Sequence, residues 1–537
     1  MAETNFDFII VGAGSAGCAL AEGLSSNGKL QVCVIEAGGS DMNFWIKMPI
    51  GYGRTFYNKT VNWMYETEAE PNLDNRKLYW PRGKVLGGSS SINALVYCRG
   101  QKNDFKDWAS AGAHGWDWDT ISACYDSFEN PVDSNDNRTG TGGMTIKDIR
   151  NEIHKSTHNY YAMAKELGLP VIDDMNGSDP KEGISHYRIT TNHGMRNSSA
   201  TAFLNPAKAR SNVTVITKAE VMRIEFDGKR ATGIEYRQNG QTHHIKAQRE
   251  IIVSAGTVNT PKLLQLSGIG PGQVLQDNAI TPILVNENVG GNLQDHLGIN
   301  YYYKASEPTL NTMLSPWWGK LIQGMRYVLT RKGPLSLSVN QCGGFLRSRE
   351  ELDAPDQQFY LNPVSYTTQP EGKRTVINPD PWPGFILSYQ PCRPSSRGRI
   401  DIASPDPSAA PKIVPNYLST NKDIEDVIAG GRLVQRMAKT TAIQKFATEA
   451  TPPDIQNMDD ENILTDFRQR SGTVFHPTST CRMGKDAHTA VVDPHLKVFG
   501  VEGLRIADAS VFPNVTSGNT NAPALMVGRR AAEIIQA

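Results

Sequence analysis

The chain has no long hydrophobic run. Nowhere do roughly 18–20 apolar residues follow one another, so no membrane-spanning helix is expected. It has no leader-like start either. Five residues precede the apolar run Phe6–Val11, with Glu3 among them and no Lys or Arg. A secretory signal needs a basic start and a small-residue cleavage site. Charge of neither sign is in excess: Lys+Arg and Asp+Glu both number 55, a formal net charge of zero. That balance argues against a nucleic-acid binder, whose affinity rests on surplus Lys and Arg. Cysteine is sparse, seven residues scattered with no C-x-x-C pair, so neither a disulfide framework nor a zinc site is expected. No other metal constellation stands out, and His243 and His244 read as a solvated pair on a strand. A cytoplasmic protein is the expectation.

What is present begins with length. At 537 residues the chain exceeds what one hydrophobic core usually supports, and two domains are expected. Residues 6–36 read as strand, tight turn, helix, strand. The continuous apolar run ending in Val11 suits a strand buried in a parallel sheet. Then GAGSAG places Gly12, Gly14 and Gly17 at the G-x-G-x-x-G positions. These glycines allow a tight turn, a pyrophosphate close to backbone, and close helix–strand packing. The helix after them, from Ser15 and Ala16 onward, would turn its N–H groups to the phosphates. The strand QVCVIE ends at Glu36, next to Ala37, where a carboxylate can accept from ribose hydroxyls. The motif points to a dinucleotide without separating FAD from NAD.

Residues 81–100, PRGKVLGGSSSINALVYCRG, carry Gly83, Gly87 and Gly88 with three serines, among them Ser89. Such a donor-rich loop can wrap a ligand with backbone N–H groups. Asn93, Ala94, Val96 and Arg99 follow. Residues 256–270, GTVNTPKLLQLSGIG, come directly after the strand-like IIVSAG. This pair resembles both signatures of the glucose–methanol–choline oxidoreductase family. VGGNLQDHL at 289–297, RPSSRGRIDIASPDP at 393–407 and the segment from Val474 to Ile535 support it. The resemblance runs essentially the whole chain and is strongest to the bacterial choline dehydrogenase and aliphatic alcohol dehydrogenase branch.

The resemblance implies an α/β fold: a discontinuous Rossmann-like FAD-binding domain (1–155, 212–300 and 462–537) and an α+β substrate-binding domain (156–211 and 301–461). Strands near 6–11, 250–255 and 504–507 would share one sheet. FAD would lie extended from the G-x-G-x-x-G turn to the 87–94 loop, with Val221 at the adenine and Asp508 and Ala509 along the pyrophosphate and ribityl. Some family members attach FAD through a histidine before the Asn of that loop. The position here is Ile92, so FAD is expected to be bound non-covalently. Hydride transfer from an alcohol needs a base, and histidine, with a pKa of about 6.5, suits it. His476 in GTVFHPTSTCRMG matches the family's catalytic histidine. Counting back from Gly528, Asn521 falls on the partner position, with Asn519 and Thr520 at the flavin pyrimidine edge.

The expected reaction is oxidation of a primary alcohol to an aldehyde, with a quinone or O2 as electron acceptor. Dehydrogenase is preferred to oxidase on the overall resemblance; Val474, small enough to admit oxygen near the flavin, does not decide it. A hydroxynitrile lyase or a photodecarboxylase on the same fold are the rivals. Tyr301, Tyr302, Tyr303, Trp317, Trp318, Tyr366 and Trp382 are each expected in core more often than in a pocket. Trp318, Leu321, Ile322, Met325 and Leu329 share one helical face beside Lys320, Arg326, Arg331 and Lys332. That face is expected to pack on the substrate domain, with peripheral contact to an anionic membrane as the alternative.

Overall fold

The computed structural model describes residues 6–177, 182–367 and 378–537. Its first sheet is built from β1 (Phe6–Val11), β2 (Val32–Glu36), β3 (Val213–Thr217), β4 (Ala219–Asp227), β5 (Arg230–Gln238), β6 (Gln241–Val253) and β7 (Leu504–Ile506). The order is β3-β2-β1-β6-β5-β4, with β7 also paired to β6. β3, β2, β1, β6 and β7 run parallel, while β4, β5 and the first half of β6 form an antiparallel meander. The register sets Ile9 beside Ile251 and Ile251 beside Leu504. Three strands hundreds of residues apart thus share one sheet, as expected from the sequence. β1, β2 and the last three residues of β6, Ile251–Val253, are covered on both faces, which is why they read as unbroken apolar runs.

Helix α1 (Ser15–Ser25) leaves β1 through the glycine turn, and α2 (Gly256–Leu266) leaves β6. The closing helix α3 (Asn521–Gln536) lies against α1. Gly12 has φ +105°, and a Cβ there would stand 2.4 Å from the Ser254 carbonyl oxygen. At Gly17 a Cβ would meet the Gly12 carbonyl oxygen at 2.0 Å, so helix and turn could not approach.

The second sheet is antiparallel. Its strands lie in the order Ala447–Ala450, Leu297–Ala305, Gly384–Pro391, Gln357–Asn362, Cys342–Leu346 and Gly183–His186, and Gly472–Thr473 pairs with the start of Leu297–Ala305. Leu297–Ala305 runs straight across the expected boundary at 300, and Gly472–Thr473 joins this sheet from the last expected FAD-domain segment. Along Leu297–Ala305 burial alternates residue by residue. Tyr301 and Tyr303 therefore enter the core, while Tyr302 faces a cavity that Tyr366 also lines. Trp317, Trp318 and Trp382 are exposed.

The helix Trp317–Thr330 departs from expectation. Only Gly319 and Tyr327 of its 14 residues are buried, and the apolar face carrying Trp318, Leu321, Ile322, Met325 and Leu329 lies open. All seven cysteines are free and buried. Among the described residues no helix is long and apolar enough to cross a membrane, and no cluster could hold a metal ion. His243 stacks on Tyr236, and His244 pairs with Glu225.

Candidate active site

The carboxyl ends of β1, β6 and β7 meet at one edge, the usual ligand position in an α/β sheet. Ser254 N–H donates to the Val11 carbonyl at 2.7 Å, and Ser254 Oγ donates to the Ala507 carbonyl at 2.7 Å. The glycine–serine loop is drawn to the same edge, with Gly87 N–H donating to the Ala13 carbonyl at 2.8 Å. Above it opens a cavity of about 1350 Å³. On its wall lie Gly12, Gly14, Ser15, Ala16, Glu36, Ala37, Gly83, Gly88, Ser89, Asn93, Ala94, Val96, Val221, His476, Asp508, Ala509, Asn519, Thr520 and Asn521, while Gly17 and Gly87 stand behind it and Arg99 pairs with Asp126 and Glu129.

Glu36 accepts the backbone N–H groups of Ala13 and Gly38 at 2.9 and 2.8 Å, while burial pushes its carboxyl up to about 7. Asp508 accepts from Gly256 N, Thr260 Oγ1 and Ser510 N, tying α2 to the end of β7. Burial raises its carboxyl as well. α1 starts at Gly14 and α3 at Thr520 without a side-chain cap, and both starts border the cavity. Their first N–H groups are the unsatisfied donors that anionic groups occupy.

At the other end of the cavity two histidines meet. His296 Nε2 lies 2.8 Å from the Cys392 carbonyl oxygen, and its Nδ1 lies 3.0 Å from Nδ1 of His476. Burial pushes His296 down to about 4, so it is neutral at neutral pH. A carbonyl only accepts, so the single proton of His296 sits on Nε2 and its Nδ1 is an acceptor. His476 must then donate from its own Nδ1, leaving the lone pair on Nε2. Burial, then His296 and Arg82, hold the His476 pKa well below the ordinary value.

His476 Nε2 lies 3.1 Å from Asn519 Nδ2. The Asn519 carbonyl oxygen accepts from Tyr360 Oη at 3.1 Å, which turns the NH2 toward the histidine. This agrees with the tautomer derived from the His296 side. The expected partner Asn521 is elsewhere. It opens α3, where its Oδ1 accepts from Ser15 Oγ at 2.8 Å, beside the glycine turn. The two asparagines are two residues apart, and the helix start between them sends their side chains in different directions. The group beside His476 is Asn519.

The chain matches the model of the GMC oxidoreductase family in two parts, residues 6–298 and 394–528. The chain is a GMC oxidoreductase. It is 38% identical to an alcohol dehydrogenase [acceptor] of Pseudomonas putida, over 99% of this chain and 95% of that one. It is equally 38% identical to an oxygen-dependent choline dehydrogenase of Vibrio vulnificus, over 99% and 94%. Among solved structures it is similar to pyridoxine 4-oxidase from Mesorbium loti, at 26% identity and TM-score 0.86 over 98% and 99% of the two chains. A formate oxidase aligns at 26% identity and TM-score 0.91 over 100% and 99%.

FAD is the cofactor typical of such proteins, and this GMC oxidoreductase has groups that fit it. Two uncapped helix starts suit a diphosphate, the Glu36 carboxylate suits ribose hydroxyls, and the cavity exceeds the roughly 300–1,000 Å³ of ordinary ligand pockets. Ile92, on the cavity wall, packs with Ile46, Val61 and Val85.

The sequence reading missed three residues around His476. His296 and Asp295 lie in the quoted VGGNLQDHL block, but nothing in that block tells that its histidine meets another 180 positions away. Asp295 accepts from His476 N at 2.7 Å and from the hydroxyls of Thr473 and Tyr417. Arg82 donates to the Phe475 carbonyl at 2.6 Å, and burial pushes it down to about 10. Asp295 and Arg82 thus grip the two polar groups of one peptide, the one that joins Phe475 to His476.

Proposed function

We propose that this GMC oxidoreductase oxidises a primary, uncharged alcohol to an aldehyde, with His476 as base and Asn519 as its hydrogen-bond partner. The observation that carries the reading is the proton order Cys392–His296–His476, which leaves a neutral Nε2 facing the cavity. When bound, FAD supplies the hydride acceptor. An alcohol hydroxyl reaching both groups gives its proton to His476 Nε2. Asn519 Nδ2–H holds the oxygen as negative charge develops on it, the usual electrostatic contribution. Asp295 and Arg82 fix the peptide that leads into His476, and the contacts of its ring with His296 and Asn519 hold the ring itself in place. Ile92 in place of an attaching histidine supports FAD held without a covalent bond.

The lining supports an uncharged substrate. Among the described residues of the cavity wall the carboxylates are Glu36, Glu220 and Asp508. Glu36 and Asp508 flank the glycine turn, and Glu220 adjoins Val221. Beside His476 the wall carries Val474 and Phe56, whose ring packs on Phe475, with Arg82 as the charged neighbour; Tyr302, Val339, Val364 and Arg470 line the same cavity. A quaternary ammonium finds aromatic faces there but no carboxylate. The relatives divide on the electron acceptor, one being named an alcohol dehydrogenase [acceptor] and an equally similar one an oxygen-dependent choline dehydrogenase; a quinone-type acceptor is the reading put to the test.

Anaerobic titration of the yellow protein with a panel of primary alcohols tests this. A neutral alcohol should bleach the flavin in the dark more readily than choline, and colour should return slowly in air. If no alcohol bleaches a flavin that dithionite does reduce, the reading falls to the lyase or the photodecarboxylase.

A further inference from the structure

An exposed apolar helix is costly in water unless something covers it, and here it borders the cavity mouth. On the helix Trp317–Thr330, Leu329 is 83% exposed and Trp317 77%, with Trp318, Leu321, Ile322 and Met325 each about half exposed. The helix also lends Lys320 and Val328 to the cavity wall. A second apolar cluster, Met42, Phe44 and Trp45, is exposed as well, and Phe44 and Trp45 line the same cavity. The two clusters are joined beneath by the turns Pro49–Gly51 and Pro334–Ser336, which pack on one another. The apolar surface is therefore one rim around an entrance, far larger than the scattered apolar residues of an ordinary surface.

The charge pattern says what this rim fits. No Asp or Glu occurs from residue 308 to 349 or from 42 to 65. Those stretches carry Arg54, Lys59, Lys320, Arg326, Arg331 and Lys332, all exposed. Arg54 lies over the Trp45 ring, with 5.2 Å to the centroid. Tryptophan, leucine and methionine on a short helix, ringed by cations and free of acids, match the boundary between acyl chains and anionic headgroups.

We propose that this rim docks the protein on an anionic membrane surface, with the cavity mouth facing the lipid. Bilayer-dissolved molecules, whether substrate or acceptor, then enter without crossing water. The docking rests on the rim alone and holds whatever the cavity turns over.

The test is co-sedimentation of the holoenzyme with vesicles. One set is phosphatidylcholine alone, and the other contains about a third phosphatidylglycerol. The protein should partition to the mixed vesicles and come off as salt is raised. The variant Leu321→Glu/Met325→Glu, whose residues do not line the cavity, should lose about tenfold or more of that partition. It should keep its yellow colour and its turnover of a short, water-soluble alcohol, which shows that it folds. Absence of binding to mixed vesicles overturns the proposal, as does equal binding by the variant. A concentration-dependent dimer in lipid-free solution, lost in the same variant and without vesicle binding, would instead give the rim to a second copy.

Discussion

Replacing His296 by Leu separates a tautomer-setting role from simple packing. The substitution keeps an apolar side chain of similar size in a fully buried site and removes both ring nitrogens. His476 Nδ1–H then has no acceptor, and the Cys392 carbonyl loses its 2.8 Å donor. A buried polar group left unpaired costs about 1–3 kcal/mol. The part that falls on His476 penalises the tautomer with its lone pair on Nε2. At about 1.4 kcal/mol per tenfold, flavin reduction by a saturating alcohol should slow by about 10–100-fold. Bound FAD, read from its absorbance, should be unchanged. The acid limb of the rate should shift as well, because His296 bears directly on the protonation of His476. His296→Gln, whose amide oxygen can accept from Nδ1–H, should regain part of the rate. Anaerobic stopped-flow reduction across a pH series reads all of this. A His296→Leu enzyme reduced at the wild-type rate with the wild-type pH profile would refute the reasoning.

The two asparagines should respond differently. Asn519→Ala should slow flavin reduction by about 10²–10³-fold, the usual cost of a lost oxyanion donor, while Asn521→Ala should mainly loosen FAD. Comparing reduction rates at saturating FAD checks this, and the reverse ranking would return the partner role to Asn521. Acid precipitation should leave FAD in the supernatant, since Ile92 offers no attachment; a yellow pellet contradicts that. Stability should fall as the medium is acidified. The folded pKa of His296, about 4, lies below its unfolded value of roughly 6.5, so the unfolded chain binds more protons between them. Its contribution is fully present above about pH 6.5 and falls by up to about 3 kcal/mol as pH drops to 4. Thermal melts from pH 7 to 5 should show this slope, reduced in His296→Leu.

Much of this architecture was legible because it is local. A buried parallel strand, a glycine turn and a terminal Glu36 fall within about thirty residues, and the turn geometry permits few other residues. The sharing of one sheet by Ile9, Ile251 and Leu504 followed from the resemblance rather than from any local pattern. The cavity wall was legible for the same reason. What escaped was side-chain direction and distant pairing. Asn519 and Asn521 are chemically identical, and only the start of α3 between them decides which faces His476. His296 reaches His476 through two strands, Leu297–Ala305 and Gly472–Thr473, whose pairing no periodicity announces. The Trp317–Thr330 helix was read correctly as amphipathic. Which side its apolar face takes depends on whether the rest of the protein covers it, and here Gly319 and Tyr327 make the inward contact instead.

The most direct test of the central claim is single-turnover flavin reduction in His476→Ala. The side chain is buried, and its backbone is held by the Asp295 carboxylate, which accepts its N–H, and by Arg82 on the preceding carbonyl, contacts that do not use the ring, so FAD should stay bound. Reduction by the best alcohol should slow by about 10²–10⁴-fold, the range for a lost general base, and dithionite should still bleach the flavin at once. Reduction at the wild-type rate would remove His476 from the chemistry and the proposed mechanism with it.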